Sequence, residues 1–373
     1  MADEIEKLMF HVRHSELNRT RLTYVSAAVV GAGTVVVFVW WWWTKRQKDR
    51  LPTQWRKVGE LSDLVTYPVK SLGPVRMNKM ECTKLGLKSG WLRDRTLMVI
   101  DLNGHFVTAR QWPKMVQVMP SISGSILTLS APGMMSVSVD LSRFQSKGFR
   151  VAVWGQSVAG CDCGEEAAKW LSRFILQEDT GFRLVYYPLD YPSRKVREKN
   201  KKFFLTSEDT GAYPDATSYS LINEGSVADL ASRVGDTITP DYFRGNFVIK
   251  VAAPYEEDTW EWVKIGDVIF KNVMPCTRCI FTTIDPETGT KNPKTEPLKT
   301  LKSYRQITDP VIRPLVGESP VMGIHLGLRS PNGSVRLGDP VYVGVSDDQS
   351  FSHASRRWFT QLDDHMLNYE LIK

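Results

Sequence analysis

The stretch Met274-Pro275-Cys276-Thr277-Arg278-Cys279-Ile280-Phe281-Thr282-Thr283-Ile284-Asp285-Pro286 carries two thiols three positions apart with an arginine between them. A thiolate beside Arg278 has a lowered pKa, and such a sulfur serves as a soft ligand for a transition metal, a redox thiol or a nucleophile. Zinc is one alternative, because Cys276 and Cys279 joined to Cys161 and Cys163 would supply four thiolates. Against it, C-x-C is a poor zinc knuckle, and the two pairs lie more than 100 residues apart. A thioredoxin-type pair belongs at a strand-to-helix junction, whereas β-rich sequence flanks this one. Buried inert sulfur is the plain alternative for Cys82, Cys161 and Cys163.

Other stretches suit an anion. Tyr67-Pro68-Val69-Lys70-Ser71 puts an ammonium and a hydroxyl at the end of an expected strand. Leu92-Arg93-Asp94-Arg95 puts two guanidinium groups just ahead of the next, and Phe243-Arg244-Gly245-Asn246-Phe247 puts another ahead of a later one. Arginine forks and loop N–H groups bind phosphate well. Each stretch alone is ordinarily a surface ion pair; three of them beside one activated thiol point to a site.

The elements that must position these groups are mostly strands. Short apolar runs recur at Leu61–Tyr67, Thr96–Ile100, Ile126–Leu129, Met135–Val139, Phe247–Val251, Val268–Val273 and Val341–Val345, separated by turns such as Asn103-Gly104, Pro132-Gly133 and Asn332-Gly333. Helical patterns are fewer. Glu165–Leu176 has one apolar face, made by Ala167, Ala168, Leu171, Phe174 and Ile175. Ser226–Val234 opens on Ser226, three residues before Asp229, as an N-cap signal. The chain reads as α+β, with a barrel in its C-terminal half. Ile265-Gly266-Asp267-Val268 and Leu337-Gly338-Asp339-Pro340-Val341 echo one another ahead of two strands. The polar, basic segment Asp190–Lys202 marks the main boundary and reads as a solvated surface loop, with docking to an acidic partner or anionic lipid as the alternative.

The 373 residues are 42% apolar and 24% charged, which excludes a disulfide mini-protein, a collagen-like chain and a wholly disordered one. Lys and Arg number 48 against 41 Asp and Glu, a net charge of +7 that speaks to membrane surfaces and anionic ligands before nucleic acid. Five cysteines, odd and sparse, argue against a secreted disulfide framework and for a reducing compartment. Leu22–Thr44 holds no charged residue, ends in four tryptophans (Trp40–Trp43) and is followed by Lys45, Arg46 and Lys48. As a helix its 23 positions span roughly 35 Å, enough for a bilayer core, with the indoles at one interface. The run is too long for a signal-peptide core and lacks a small-residue cleavage site. The basic residues after it lean toward a cytosolic C-terminal side.

Taken together, Tyr-Pro-Val-Lys-Ser (67–71), Leu-Arg-Asp-Arg (92–95), Val-Thr-Ala-Arg-Gln (107–111), Phe-Arg-x-Asn (243–246), Cys-x-Arg-Cys-x-x-Thr-Thr-x-Asp-Pro (276–286) and Leu-Lys-Ser-Tyr-Arg (301–305) resemble the MOSC-domain family, and within it the mitochondrial amidoxime-reducing components. The resemblance covers about residues 55 to 345. It implies a strand-rich MOSC β-barrel domain (190–345), an N-terminal α/β MOSC-associated domain (55–189) and a single transmembrane signal-anchor (22–44). An N-terminal tail (1–21), a basic linker (45–54) and a C-terminal tail (346–373) complete the chain. It implies a molybdenum–molybdopterin cofactor, with Cys279 as the metal ligand. Lys70, Ser71, Arg95, Arg244, Asn246, Thr277 and Arg278 match positions that hold the pterin and its phosphate. Pro214, Asp215, Thr217, Ser218 and His325 match further contacts, and Asp215 is a candidate acid because it falls in that matched segment. The family pattern has proline at the position of Gly245 and an aromatic hydroxyl at that of His325.

The implied reaction is reduction of N-hydroxylated compounds such as amidoximes, hydroxylamines and N-oxides. The sequence has no nicotinamide- or flavin-binding glycine fingerprint, so electrons must come from another protein. The resemblance names cytochrome b5 and NADH-cytochrome b5 reductase, with the anchor in the mitochondrial outer membrane and the catalytic domain facing the cytosol. Two other readings stand beside it. One is a MOSC-type sulfur carrier with a Cys279 persulfide; the other is a non-catalytic, zinc-stabilised membrane scaffold.

Overall fold

Apolar strands with few crossovers close on themselves. In the structure, a computed structural model that describes residues 50–144, 148–251 and 253–345, seven strands form a closed barrel. They are β1 (Gln54–Thr66), β2 (Tyr219–Asn223), β3 (Phe247–Lys250), β4 (Trp262–Ile265), β5 (Val268–Thr277), β6 (Val321–Leu328) and β7 (Pro340–Val345). Around the barrel the order is β3-β2-β6-β5-β4-β7-β1, and β1 returns to β3 with Leu64 opposite Phe247. Only β2 and β3 run parallel, and a helix, α2 (Glu224–Val234), makes the crossover between them. The interior is filled by one buried cluster that includes Leu61, Leu221, Ile249, Val263, Ile324 and Val343. At its centre Tyr219 stacks on Phe247 at 5.7 Å, and Phe270 meets both rings edge-on. The first stave, β1, comes from before the 189/190 boundary drawn on sequence.

The rest of the chain between β1 and β2 builds antiparallel sheets. Gly148–Val153, Gln156–Asp162, Phe182–Tyr186 and Leu97–Asp101 form one four-stranded sheet, covered by the helix α1 (Glu165–Leu176). Met119–Ser123, Ile126–Ala131 and Met134–Asp140 form a three-stranded meander. This corrects the expected α/β arrangement. Short hairpin turns join most of these strands, so their pairing is antiparallel and one helix suffices. A third sheet pairs Lys79–Thr83 with Gly333–Arg336, binding early chain to late.

Local chemistry explains the helix limits. The expected span of α1 is the observed one: Glu165 and Glu166 face the positive end of the helix dipole, and Gln177 caps the other end in the left-handed conformation. Trp170 joins the expected apolar face and donates to the Met135 carbonyl at 2.6 Å. α2 starts earlier than expected, because Asn223, not Ser226, accepts the Gly225 N–H at 2.9 Å. Ser226 is buried and donates to Glu257 instead. The two Gly-Asp turns sit side by side where β4 pairs with β7, the Gly266 N–H donating to the Pro340 carbonyl at 3.0 Å. The 190–202 segment is mostly exposed, as expected of a surface loop, but it is pinned at two points. Arg194 is buried, and the Arg197 guanidinium lies 4.7 Å from the Trp154 ring.

The anchor, both tails and most of the basic linker lie outside the described residues. Among the described residues no helix is long and apolar enough to cross a membrane.

One carboxylate ties the barrel to the loops above it. Asp94, 1% exposed, accepts from Tyr67 N (2.9 Å), Asn246 Nδ2 (3.0 Å), Thr66 Oγ1 (3.3 Å) and Arg95 Nη1 (2.6 Å). Asp94→Ala strands those buried donors. It should destabilise the fold by about 3 kcal/mol or more, read as a fall in the urea midpoint at unchanged slope.

Candidate functional site

A cleft with about 810 Å³ of open space lies where the end of β5 meets the loops that follow β1 and precede the strand Leu97–Asp101. The loop ahead of β2 and the short 3₁₀ turn Pro240–Phe243 complete its walls. Among the described residues seven non-glycine residues have positive φ, and three of them line this cleft: Ser71 at 70°, Arg95 at 48° and Arg244 at 53°. Left-handed backbone at side-chain-bearing residues is costly and persists where surrounding contacts enforce it. Here Asp94 holds Arg95, while Arg244 donates to the Leu72 carbonyl at 2.7 Å and lies 4.0 Å from the Tyr67 ring. Burial pushes the Tyr67 hydroxyl up to about 12, so the ring between Arg95 and Arg244 stays a neutral platform.

Positive charge in the cleft exceeds what the protein neutralises. Lys70, Arg95, Arg110, Arg244 and Arg278 line it, against one lining carboxylate, Asp215. Lys70 donates to the Tyr213 carbonyl at 2.9 Å and to Asp215, and burial lowers its ammonium to about 8. Burial likewise pulls Arg244, which has no carboxylate on its guanidinium, down to about 10. Nearby, the Nε of buried Arg194 has no hydrogen-bond partner among the described residues. A buried surplus of cations with open donors is the complement of a phosphate-bearing ligand.

Asp215 is the counter-ion of this array. It accepts from Lys70 and Arg110 and, at 3.1 Å, from the Trp154 indole. Burial favours its neutral form, but the Lys70 and Arg110 charges outweigh that and hold the carboxyl well below the usual range. An ionised carboxylate has no proton to give at neutral pH, so the geometry makes Asp215 a clamp on Lys70 and Arg110.

The two thiols of the pair have different surroundings. Cys279 is exposed at the cleft rim, and Arg110 Nε donates to its Sγ at 3.3 Å. Cys276 is buried beneath. Burial opposes its ionisation, but Arg278 and a hydrogen bond with His325 prevail and bring the thiol down to about 7. His325 is held in turn by its Nδ1, 2.7 Å from Thr217 Oγ1, which itself donates to the Tyr219 carbonyl. The lowered pKa expected beside Arg278 is therefore found at Cys276.

Of the residues singled out in the sequence, Lys70, Ser71, Arg95, Pro214, Asp215, Thr217, Arg244, Thr277, Arg278, Cys279 and His325 line the one cleft. Two stand outside it. Ser218 points away and donates to the Lys84 carbonyl at 2.8 Å, and Asn246 is buried beneath the wall, bonded to Asp94 and the Val65 carbonyl. Arg278 lines the cleft, but its guanidinium is spent on the Phe243 and Met322 carbonyls, which makes it a brace for the strand ends. Sequence reasoning gave no role to Arg110 or Trp154; Arg110 stood inside the 107–111 motif, its one signal. Cys161 and Cys163 are buried in the sheet beside α1, and among the described residues no three His, Cys, Asp or Glu side chains converge on a metal position.

This barrel and cleft belong to a known class. Residues 58–178 match the MOSC N-terminal beta barrel domain, and residues 208–342 match the MOSC domain. Mitochondrial amidoxime reducing component 2 of Rattus norvegicus is 36% identical over 323 residues, which span 86% of this chain and 94% of that protein. Mitochondrial amidoxime-reducing component 1 of Mus musculus is 37% identical over 324 residues, 87% and 93% of the two chains. Component 1 of Homo sapiens is 40% identical over 297 residues, 78% and 86% of the two. The chain belongs to the mitochondrial amidoxime-reducing component family of MOSC-domain proteins.

The Cys276 environment is measurable. In a Cys279→Ser background, ultraviolet thiolate absorbance should rise through pH 7, because burial keeps Cys82, Cys161 and Cys163 protonated well above that. Adding His325→Phe should move the titration upward by about one pH unit. An unmoved midpoint would show that His325 does not hold the thiolate.

Proposed function

We propose that the protein is a molybdenum-cofactor-dependent reductase of N-hydroxylated compounds, with amidoximes, hydroxylamines and N-oxides as the substrate class. The observation that carries the reading is an exposed thiol, Cys279, on the rim of a cleft whose cations outnumber its carboxylates. The donor set fits the cofactor: one soft sulfur for the metal, and buried guanidinium and ammonium groups for the anionic end of the pterin. Relatives named for amidoxime reduction support the substrate class.

When bound, the cofactor supplies the two-electron chemistry that cleaves an N–O bond: an amidoxime, two electrons and two protons give an amidine and water. The chain's part is to hold and orient. Arg95, Arg244 and Lys70 would take the anionic end, Ser71 would offer its hydroxyl, Thr217 would hold His325 in place, and Cys279 would ligate the metal. Arg110, pinned by Asp215, aims its Nε at the Cys279 sulfur and fixes its orientation. NADH supplies the electrons through cytochrome b5 reductase and cytochrome b5, whose acidic surface would match the exposed Lys195, Lys199, Lys201 and Lys202. The mitochondrial names of the relatives and the sequence of residues 22–50 support an outer-membrane anchor with the catalytic domain in the cytosol.

Metal analysis and turnover decide. Cys279→Ala should lose bound molybdenum and amidoxime reduction in a reconstituted cytochrome b5 chain, while Cys276→Ala keeps much of both. Equal loss in the two variants would mean that the ligand is wrongly assigned. A wild-type protein that is free of molybdenum but carries a persulfide on Cys279 would establish a sulfur carrier instead.

A further inference from the structure

Cys279 faces two openings. With Arg278 it lines the cationic cleft, and the same two residues line an adjoining groove whose far wall is the helix α3 (Leu298–Tyr304). α3 buries Leu301 completely in the cluster beside α2, which leaves Leu298, Lys299, Lys302 and Ser303 on the groove. Ile280, 46% exposed, forms its apolar floor next to Cys279. Ile280 and Leu298 together give the groove an apolar surface beside the Cys279 sulfur that can carry the body of a ligand.

The α3 wall of the groove is charged and uncompensated. Lys299 and Lys302 are both exposed, and among the described residues neither makes an ion pair. No acidic side chain lines the groove. The one groove therefore brings together a thiol, an apolar surface made by Ile280 and Leu298, and two ammonium groups. The cationic cleft on the other side of Cys279 is already matched to the cofactor's anionic end, which leaves this groove for the substrate.

We propose that the groove is the substrate subsite, and that it selects N-hydroxylated compounds with an apolar body and a carboxylate at the end remote from the N–O group. The body rests on Ile280 and Leu298, and the carboxylate faces Lys299 and Lys302. The proposal rests on the reading of Cys279 as the metal ligand. It adds a preference that the cleft alone does not supply.

The test compares benzamidoxime with 4-carboxybenzamidoxime on the cofactor-loaded full-length protein, reduced by dithionite and a viologen so that no partner protein intervenes. The carboxylated compound should show a KM about threefold to tenfold lower, with kcat within about twofold, and the preference should shrink at high salt. In Lys299→Gln/Lys302→Gln the KM ratio of the two compounds should fall to about one, and in Lys299→Arg/Lys302→Arg it should persist. Binding of the non-reducible 4-carboxybenzamidine, followed by calorimetry, should weaken in the Gln pair and not in the Arg pair. Equal KM values in the wild type, or a ratio untouched in the Gln pair, overturn the groove assignment and leave the reductase reading standing. If neither amidoxime is reduced but the carboxylated amidine binds in a lysine-dependent way, the reductase reading falls, and with it the groove's role as a substrate subsite.

Discussion

The site depends on a single buried carboxylate. Asp94 receives hydrogen bonds from the end of β1, from the loop that carries Arg95 and from Asn246 just ahead of β3. Through these it fixes the Tyr67 ring, against which the Arg95 and Arg244 guanidinium groups rest at 4.8 and 4.0 Å. A carboxylate taken out of water is tolerable only with its lone pairs filled, and the four donors fill them. Asn246 and Asp94 thus serve the cleft without touching it: they hold guanidinium groups in left-handed backbone that the chain would otherwise leave.

A second layer of charge works differently. Asp94 builds, whereas Asp215 balances. Placed between Lys70 and Arg110, it lowers the repulsion of a crowded set of cations, and the Trp154 indole donates to it from the solvent side. The balance is incomplete: Lys70, Arg95, Arg110, Arg244 and Arg278 line the cleft against Asp215. A protein that leaves cations under-neutralised in a buried place spends stability on affinity for an anion.

Much of this was legible in the chain. The apolar periodicity of Glu165–Leu176 gave the helix to the residue, because a 3.6 period and two flanking acidic residues act locally. The motif residues around Lys70, Arg95, Arg244 and Cys279 converge as the family pattern implied. What escaped was non-local. Nothing near Arg110 announces that it will meet Asp215, which lies 105 positions on. The basic run at 190–202 looks like a solvated surface, yet Arg194 turns inward, which only the tertiary fold decides. Ser226 looked like a cap because its spacing to Asp229 is right; the preceding Asn223 took the role, and Ser226 was claimed by Glu257, 31 residues away. The lowered thiol pKa was expected beside Arg278, but its assignment to Cys276 needed His325, brought there by the pairing of β5 with β6.

The path of β1 has a consequence for how the molecule comes into being. Its partners β3 and β7 lie far along the chain, Gln54 opposite Val345 and Leu64 opposite Phe247. Closure of such distant ends carries a large loop entropy and is slow to nucleate. During synthesis β1 is the first stave made, and its edge toward β7 stays unpaired until translation has passed residue 345. The cleft lining itself runs from Lys70 to His325, so the cleft is complete only once nearly the whole chain has been made.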